Sequence, residues 1–478
     1  MKFTATATGT KVVNRAGGEA YKQNPKLELV SLLLTSFVKD KFYEKESSQL
    51  ARLENLVGSI PDKKFVGKAA IYARTEFGMR SITHALLGNL VKIVKKEPWV
   101  KDAIAKAVIR PDDMIEIMSF YLQKFGKPIP NNLKKGLKKA IDKFDGYQLA
   151  KYRAEGKALK MVDLFNLIHP KPETDKQIET FEKLMSGKLV STDTWESKLT
   201  QAGQKAENEE QKEQFKKDAW IELISERKLG YFALLRNLRN IMAQAPEILD
   251  KAIEMLIDER LIRKSLVLPF RFQTAITEIK QSSTEGARKV LTGLAKAMDI
   301  SMVNVPVFDG KTLVVLDESG SMNGKPMDIG SIFAAALYKA NDADLLMFSD
   351  RARFALTNPI DSVASIAEAI KNSMRSGGTN FHCIFQVITK PYDRIIILSD
   401  MQGWIGYNAP VAEFASYKSR ANCNPFVYSF DLNGYGDMQF PEQTVFCIAG
   451  FSEKIFDIMA LLEKDKNALI NKIDSIEL

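Results

Sequence analysis

The chain has 478 residues, 45% of them apolar and 27% charged, with a net charge of +9. That length exceeds one ordinary core and suits two or three domains, and the composition is that of a globular protein rather than a disordered or fibrous one. No apolar run reaches the roughly 20 residues of a membrane-spanning helix. The opening "MKFTATATGTKVV" has no apolar stretch of the secretory kind, so the cytoplasm is the expected location and no membrane contact is expected.

Charge divides the sequence. Residues 301–478 carry 15 Lys and Arg against 21 Asp and Glu, which leaves 53 against 38 in residues 1–300. The first part therefore either meets a polyanion or wears a solubilising lysine surface. Cys383, Cys423 and Cys447 are too few and too irregularly spaced for a zinc site or a disulfide framework, and buried free thiols are expected.

In chain order, residues 1–300 read as one helix after another. "NPKLELVSLLLTSFVKDKFY" opens with Asn24 as N-cap and Pro25 at the first helical position. "DKKFVGKAAIYARTEF", "RSITHALLGNLVKIVKK" and "DDMIEIMSFYLQKFG" keep the helical period. Short Gly, Pro and Asp breaks fit stacked helical pairs, and strand-like alternation is almost absent. His84 falls mid-helix and reads as packing. The stretch "QKAENEEQKEQFKKD" reads as an exposed helix or a mobile connection.

The densest cationic segment is "PNNLKKGLKKAIDKFDGYQLAKYRAEGKALK". Lys134, Lys135, Lys138, Lys139 and Lys143 occupy neighbouring rows of one helix, because steps of three and four share a face. Lys151, Arg153, Lys157 and Lys160 follow. Such a stripe matches nucleic-acid phosphates with strong salt dependence, or it is a solvated face. His169, between a helix end and Pro170, can cap carbonyls, stack on a base or donate to a phosphate. Arg236 and Arg239, with Asn237 and Asn240 beside them, suit phosphates and base edges or backbone groups between stacked helices.

After about residue 303 the period changes. "TLVVL", "DLLMFS", "RIIILSD", "PFVYSFDL" and "TVFCIAG" read as buried strands. Helical patterns lie between several of them, and "SEKIFDIMALLEKD" closes the segment. This alternation predicts a mainly parallel, doubly wound (Rossmann-like) α/β sheet with its ligand site outside the carboxyl ends of the strands. There "LDESGSM" gathers Asp317, Ser319 and Ser321. "RSGGTNF" presents Thr379, and "IIILSDMQG" ends its strand at Asp400. Five oxygen side chains at one sheet edge suit a hard divalent cation, Mg²⁺ in the cell. A phosphate loop is excluded, because "GSMNGKP" is one residue short between its glycines and has Pro326 where Ser or Thr is needed. No positioned base or second metal set accompanies the five oxygens, so no enzymatic activity is expected.

Asp-x-Ser-x-Ser followed by Thr and Asp on such a sheet resembles the metal-ion-dependent adhesion site of von Willebrand factor A domains. The resemblance implies direct coordination by Ser319 and Ser321, with Thr379 at or near the ion. Asp317 and Asp400 would act mostly through metal-bound water, with one position open for a partner's acidic group.

Across nearly the whole chain, "KYR", "DLFNLIHPKP", "TWESKLTQAGQK", "RKLGYFALLRNLRNI" and "SLVLPFRFQTAI" look like the TROVE-module family of the Ro ribonucleoprotein and its bacterial relatives. That resemblance implies a multidomain protein: residues 1–300 as an all-α ring of HEAT-like repeats, and residues 301–478 as the A domain that closes it. It also implies small noncoding (Y-like) RNA on the outer basic surface, single-stranded ends of misfolded RNA in the ring's hole, and a role in RNA quality control. Lys151, Arg153 and His169 carry over by motif as RNA contacts, and the lysine helix by position and charge alone. A metal-dependent protein–protein adaptor, with a partner such as an exoribonuclease at the A-domain ion, is the alternative reading.

Overall fold

A computed structural model describes residues 10–13, 19–22, 25–35, 46–152, 157–189, 198–200, 203, 206–401, 403, 410–432, 445–449, 459, 463 and 468–478. Among the described residues of the first half, helices run from Pro25–Thr35 to Ala287–Ile300. Their packing follows from the sequence period. In the first part of the array, helices pack on their neighbours and on the next but one, so two rows form. Pro25–Thr35, Lys63–Thr75, Trp99–Ala107 and Asn131–Ile141 stack in one row, with Glu46–Ser59, Ser81–Ile93 and Pro111–Phe125 in the other. This is the two-layer arrangement of helical-repeat proteins. Gly136 sets one spacing within the first row. A Cβ there would lie 2.8 Å from Ile104 Cβ and 2.9 Å from the Lys101 carbonyl oxygen, so only glycine allows those two helices to approach so closely.

A buried ionic hub ties the rows together. Asp113 is fully buried and accepts from Arg74 Nη2 at 2.8 Å, Arg80 Nε at 3.1 Å, and the amides of Ile109 at 3.0 Å and Arg110 at 2.9 Å. His84 Nε2 completes the set at 3.0 Å. His84, read from sequence as packing, is indeed buried, but it also holds this carboxylate. Burial pushes the imidazole below its ordinary value, and a carboxylate can only accept, so the neutral ring carries its proton on Nε2. Burial opposes ionisation of Asp113 too. The His84 hydrogen bond, the charge of Arg74 and the Arg110 amide outweigh it and hold the carboxyl far below the usual range.

One element in this half was not anticipated, and one open alternative is settled as a helix. A hairpin, β1 (Thr10–Val13) and β2 (Glu19–Lys22), precedes the helices. The "QKAENEEQKEQFKKD" stretch is a helix, Glu209–Ser225, whose buried side chains all lie in its second half. "TWESKLTQAGQK" falls mostly outside the described residues.

The second half is a sheet with strand order β5-β4-β3-β6-β7-β8. The strands are β3 (Thr312–Asp317), β4 (Asp344–Phe348), β5 (Ala352–Phe354), β6 (Arg394–Ser399), β7 (Phe426–Asp431) and β8 (Val445–Ala449). All pairings are parallel except β4 with β5. The antiparallel edge β5 was not anticipated, because its three residues include a charged Arg353 and no apolar run. Cys383 is a buried free thiol and Cys423 a partly buried one, and the Cys447 side chain lies outside the described residues. Of "SEKIFDIMALLEKD" only Met459 and Glu463 are described.

The sheet lobe meets both ends of the helical array, which closes the ring. At one junction Phe270 packs edge-on against Phe333 at 5.9 Å and Phe333 against Phe430 at 5.4 Å, while the Val363 amide donates to Asp299 Oδ1 at 2.9 Å. At the other, the C-terminal helix Ala468–Asp474 packs on Lys63–Thr75. There Lys472 Nζ lies 5.5 Å from the Tyr72 ring centroid, Lys106 Nζ donates to the Glu477 carbonyl at 2.9 Å, and Lys68 Nζ donates to that of Asp474.

Replacing Asp113 with Ala leaves Arg74 buried without its anion, and the expected cost is about 3–5 kcal/mol. An earlier thermal transition of the helical signal in circular dichroism checks this. Because the folded Asp113 value is depressed, its contribution is complete above the ordinary 3.8 and is lost as pH falls below it.

Candidate functional site

The chain runs from β3 to β4 on one side and returns to β6 on the other. The strand order therefore reverses between β3 and β6, where the carboxyl ends of the strands leave a crevice. Asp317 is the last residue of β3, and Asp400 follows β6. Both are almost completely buried, as are Ser319 and Thr379, while Ser321 stays exposed at the rim.

Hydrogen bonds assemble the three loops. The Ser319 amide donates to Asp317 Oδ1 at 2.8 Å, and the Ser319 and Ser321 hydroxyls lie 3.2 Å apart. The Ser399 hydroxyl donates to Asp317 Oδ2 at 2.6 Å and accepts from the Met401 amide at 2.9 Å, which locks the end of β6 to the end of β3. The Gly320 amide donates to the Gly377 carbonyl at 3.0 Å, and that of Asn380 to the Ser349 carbonyl at 2.8 Å. These two bonds bracket Thr379. A Cβ at Gly377 would come within 2.8 Å of Asp350 Oδ1, so the glycine lets this loop settle against the tip of β4.

Glu318 and Ser399 are supports that the motif reading missed. Glu318 is buried, and its Oε2 accepts from Arg353 Nη2 at 2.8 Å and from the Arg375 amide at 2.8 Å. Arg353 Nη2 also donates to the Ser373 carbonyl at 2.6 Å. One carboxylate thus staples the edge strand and the Thr379 loop to the Asp317 loop. Burial pushes the Glu318 carboxyl up, against the pull of these donors. The sequence signal was available: an acidic residue inside D-x-S-x-S needs a cation nearby.

The donor set fits a divalent cation. Asp317 is pushed up to about 7, first by burial and then by the charge of Asp400. The hydrogen-bond donors it gains, an amide and a hydroxyl, are neutral. Two carboxylates and three hydroxyls are all oxygen donors, which suits Mg²⁺ better than a thiolate- or imidazole-seeking metal. Among the described residues no group of three or more His, Cys, Asp or Glu gathers into a metal cluster. His382 is buried in the first turn of His382–Val387, and its amide donates to Asn380 Oδ1 at 3.1 Å.

The cationic candidates fall into two kinds. On Asn131–Ile141 the face of Leu133, Gly136, Leu137 and Ala140 is buried. Lys135 and Lys139 are exposed on the other side, and Lys134 and Lys138 are half-buried. Lys139 pairs with Asp102 at 2.7 Å. Lys143 lies beyond the end of that helix and, though exposed, its Nζ donates to the Ala105 and Val108 carbonyls, so it caps a neighbouring helix rather than extending the stripe. Lys151 is exposed, with its Nζ 5.6 Å from the Tyr152 ring centroid; Arg153 lies outside the described residues. His169 ends Met161–Ile168 in the left-handed conformation, φ 49°, and its amide donates to the Phe165 carbonyl at 2.8 Å. Its backbone is the cap, and its ring is left exposed. On Tyr231–Gln244, Arg236 is exposed and Arg239 pairs with Glu278 at 2.9 Å, apart from the lysine helix.

The TROVE domain profile matches residues 21–214 and 185–307. Among solved structures, the RO (RSR) protein of Deinococcus radiodurans superposes with a TM-score of 0.65 over 91% of this chain and 98% of that one, at 15% identity, a likeness of fold. Telomerase protein component 1 of Rattus norvegicus is 30% identical over 97 residues, 19% of this chain and 4% of that protein. Its Mus musculus counterpart is 28% identical over 141 residues, 27% of this chain and 5% of that protein. The chain thus spans only a small fraction of these two relatives. With more than half its length matched by the domain profile, the chain belongs to the TROVE domain family.

Proposed function

We propose that the chain is a non-enzymatic, RNA-binding component of a ribonucleoprotein that takes part in RNA quality control. Membership of the TROVE family supports the RNA-binding, ribonucleoprotein role. The finer reading is that small noncoding, Y-like RNA lies on the basic outer surface and that single-stranded ends of misfolded RNA enter the ring. The observation that carries it is the coincidence of family match and charge: the matched half holds the positive excess, and Lys135 and Lys139 of the lysine helix face solvent. Lys134, Lys135, Lys138, Lys139 and Lys151 would neutralise phosphates. The exposed ring of His169 and the exposed Arg236 can reach bases or phosphates, with Arg153 and Arg239 as further contacts.

The sheet edge supports a second role in the same molecule. Asp317, Ser319, Ser321, Thr379 and Asp400 would hold a divalent cation, Mg²⁺ in the cell, which supplies an electrophilic position for an acidic group of a protein partner. Asp317 and Asp400 give charge, the hydroxyls give compact neutral oxygens, and Glu318 and Ser399 keep the loops in register. An exoribonuclease is one class of partner that suits RNA quality control. The acidic carboxyl-terminal half disfavours RNA at this edge.

Binding of structured RNA is expected to weaken steeply with salt. Replacing Lys134, Lys135, Lys138 and Lys139 together by Ala should lower the slope of log K against log salt by roughly three, from the ~0.7–0.9 that each phosphate contact contributes. Filter binding across a salt series checks this, and an unchanged slope would remove the lysine helix from the interface.

Calorimetric titration with Mg²⁺ or Mn²⁺ is expected to show one site on the intact chain that is lost in Asp317→Ala. The ion should also stabilise the intact chain by about 2.7 kcal/mol at a hundredfold excess over its dissociation constant. RNA affinity in Asp317→Ala should match the parent; a parallel loss would merge the two roles into one.

A further inference from the structure

One cluster in the helical half does more than the fold requires. Arg110 Nε and Nη2 donate to the two oxygens of Asp112 at 3.0 and 2.9 Å. Arg80 Nη2 donates to the same carboxylate at 2.7 Å, while its Nε reaches Asp113 at 3.1 Å. Two planar guanidinium forks are therefore held side by side on one anion. Exposure is unequal across these pairs: the side chains of Arg80 and Arg110 are 32% and 38% exposed, against 12% for Asp112 and none for Asp113. The anions face the protein and the cations face water. With the buried Arg74 included, three guanidinium groups stand on two carboxylates and the buried His84 adds no charge, so the cluster carries one net positive charge, and its exposed groups are the guanidinium groups of Arg80 and Arg110.

An aromatic ring completes the surface. The guanidinium carbon of Arg110 lies 4.5 Å from the centroid of the Tyr152 ring, at the end of the helix Gly146–Lys151. Tyr152 is half-buried, so part of the ring is accessible.

We propose that Arg80, Arg110 and Tyr152 form a nucleotide subsite for single-stranded RNA, in which the paired guanidinium groups take a phosphodiester and the tyrosine ring takes an unpaired base. The subsite rests on the RNA-binding reading of the chain. Guanidinium forks suit phosphate oxygens bidentately, and stacking on an aromatic ring is available to a splayed base and not to one inside a duplex. Because Asp112 and Asp113 already immobilise both arginines, little side-chain freedom is lost when the phosphate binds. Asp112 thus acts as a positioning residue, not a competitor, since each guanidinium keeps an Nη1 edge that these bonds do not use.

The test is fluorescence anisotropy with a labelled oligouridylate of about ten nucleotides, within the usual span of single-strand sites. Arg110→Ala and Tyr152→Leu are each expected to weaken binding about tenfold, the scale of one lost stacking or charge-assisted contact. Tyr152→Phe, which keeps the ring, should bind like the parent, which separates stacking from packing. If Tyr152→Leu binds like the parent while the four-lysine replacement weakens binding, the subsite is overturned and the RNA reading stands. If the parent chain fails to bind the oligonucleotide even at low salt, both are overturned. Inorganic phosphate should displace the probe no better than chloride at equal ionic strength; full displacement by phosphate would reassign the cluster to a free anion and overturn the proposal. Should Arg110→Ala unfold, photocrosslinking of thiouridine-substituted oligonucleotide to the unmodified chain decides: the labelled peptide is expected to contain Tyr152, and its absence from the crosslinked peptides counts against the subsite.

Discussion

A carboxylate taken out of water must be met by donors or by a cation, and this chain answers that demand in two opposite ways. Asp113 receives two guanidinium groups, an imidazole N–H and two backbone amides, so its charge is compensated within the fold. Asp317 receives an amide and a hydroxyl and stands near a second buried carboxylate. The first arrangement closes a structural hub between two rows of helices. The second leaves an electrostatic demand at the surface of a rigid sheet. The same physical cost thus yields a filled hub in one half and, on the proposed reading, a ligand position in the other.

How much of this the sequence carried depends on whether the signal was local. The change of period near residue 303 was legible because parallel strands buried on both faces read as unbroken apolar runs. Asp317, Ser319, Ser321 and Asp400 were legible because each ends or follows such a run, and Thr379 because it stands in a Gly-Gly loop between two of them. Long-range pairs were not. Asp113 drew no notice in the sequence, since its partners Arg74, Arg80 and His84 sit on other segments. The role of Glu318 depends on Arg353, in an edge strand too short to show a pattern. The lysine stripe was legible from helical spacing, yet spacing says nothing about partners. That Lys139 meets Asp102, and that Lys143 caps a neighbouring helix, requires the packing of Asn131–Ile141 on Trp99–Ala107.

Ring closure sharpens the division between the halves. The junction at Phe270, Phe333 and Phe430 is apolar and continuous with both cores, so the sheet lobe is fixed to the end of the helical array. The other junction adds Lys26, Lys68, Lys106 and Lys472 of the two lobes, set against carboxylates, carbonyls and an aromatic ring. Several of these contacts are exposed and individually weak. The apolar residues Leu469 and Ile473 beneath them supply the adhesion, and the polar contacts set the register.

The charge asymmetry then has a consequence for how two anionic ligands can share one ring. On the proposed reading, RNA meets the positive half and gains from every phosphate it neutralises, so its attraction is broad and summed over many weak contacts. An acidic group approaching the sheet lobe meets a surface that is negative on balance, and at physiological salt that repulsion acts over about 8 Å. Only a short-range interaction strong enough to overcome it, such as coordination at the Asp317 edge, can hold such a ligand there. A polyanion with diffuse charge has no equivalent gain at one point, because its many phosphates would each face the repulsion while one at most could reach the ion. Under the proposed reading, the negative lobe is therefore what lets one ion discriminate a single carboxylate from an RNA chain within the same closed ring.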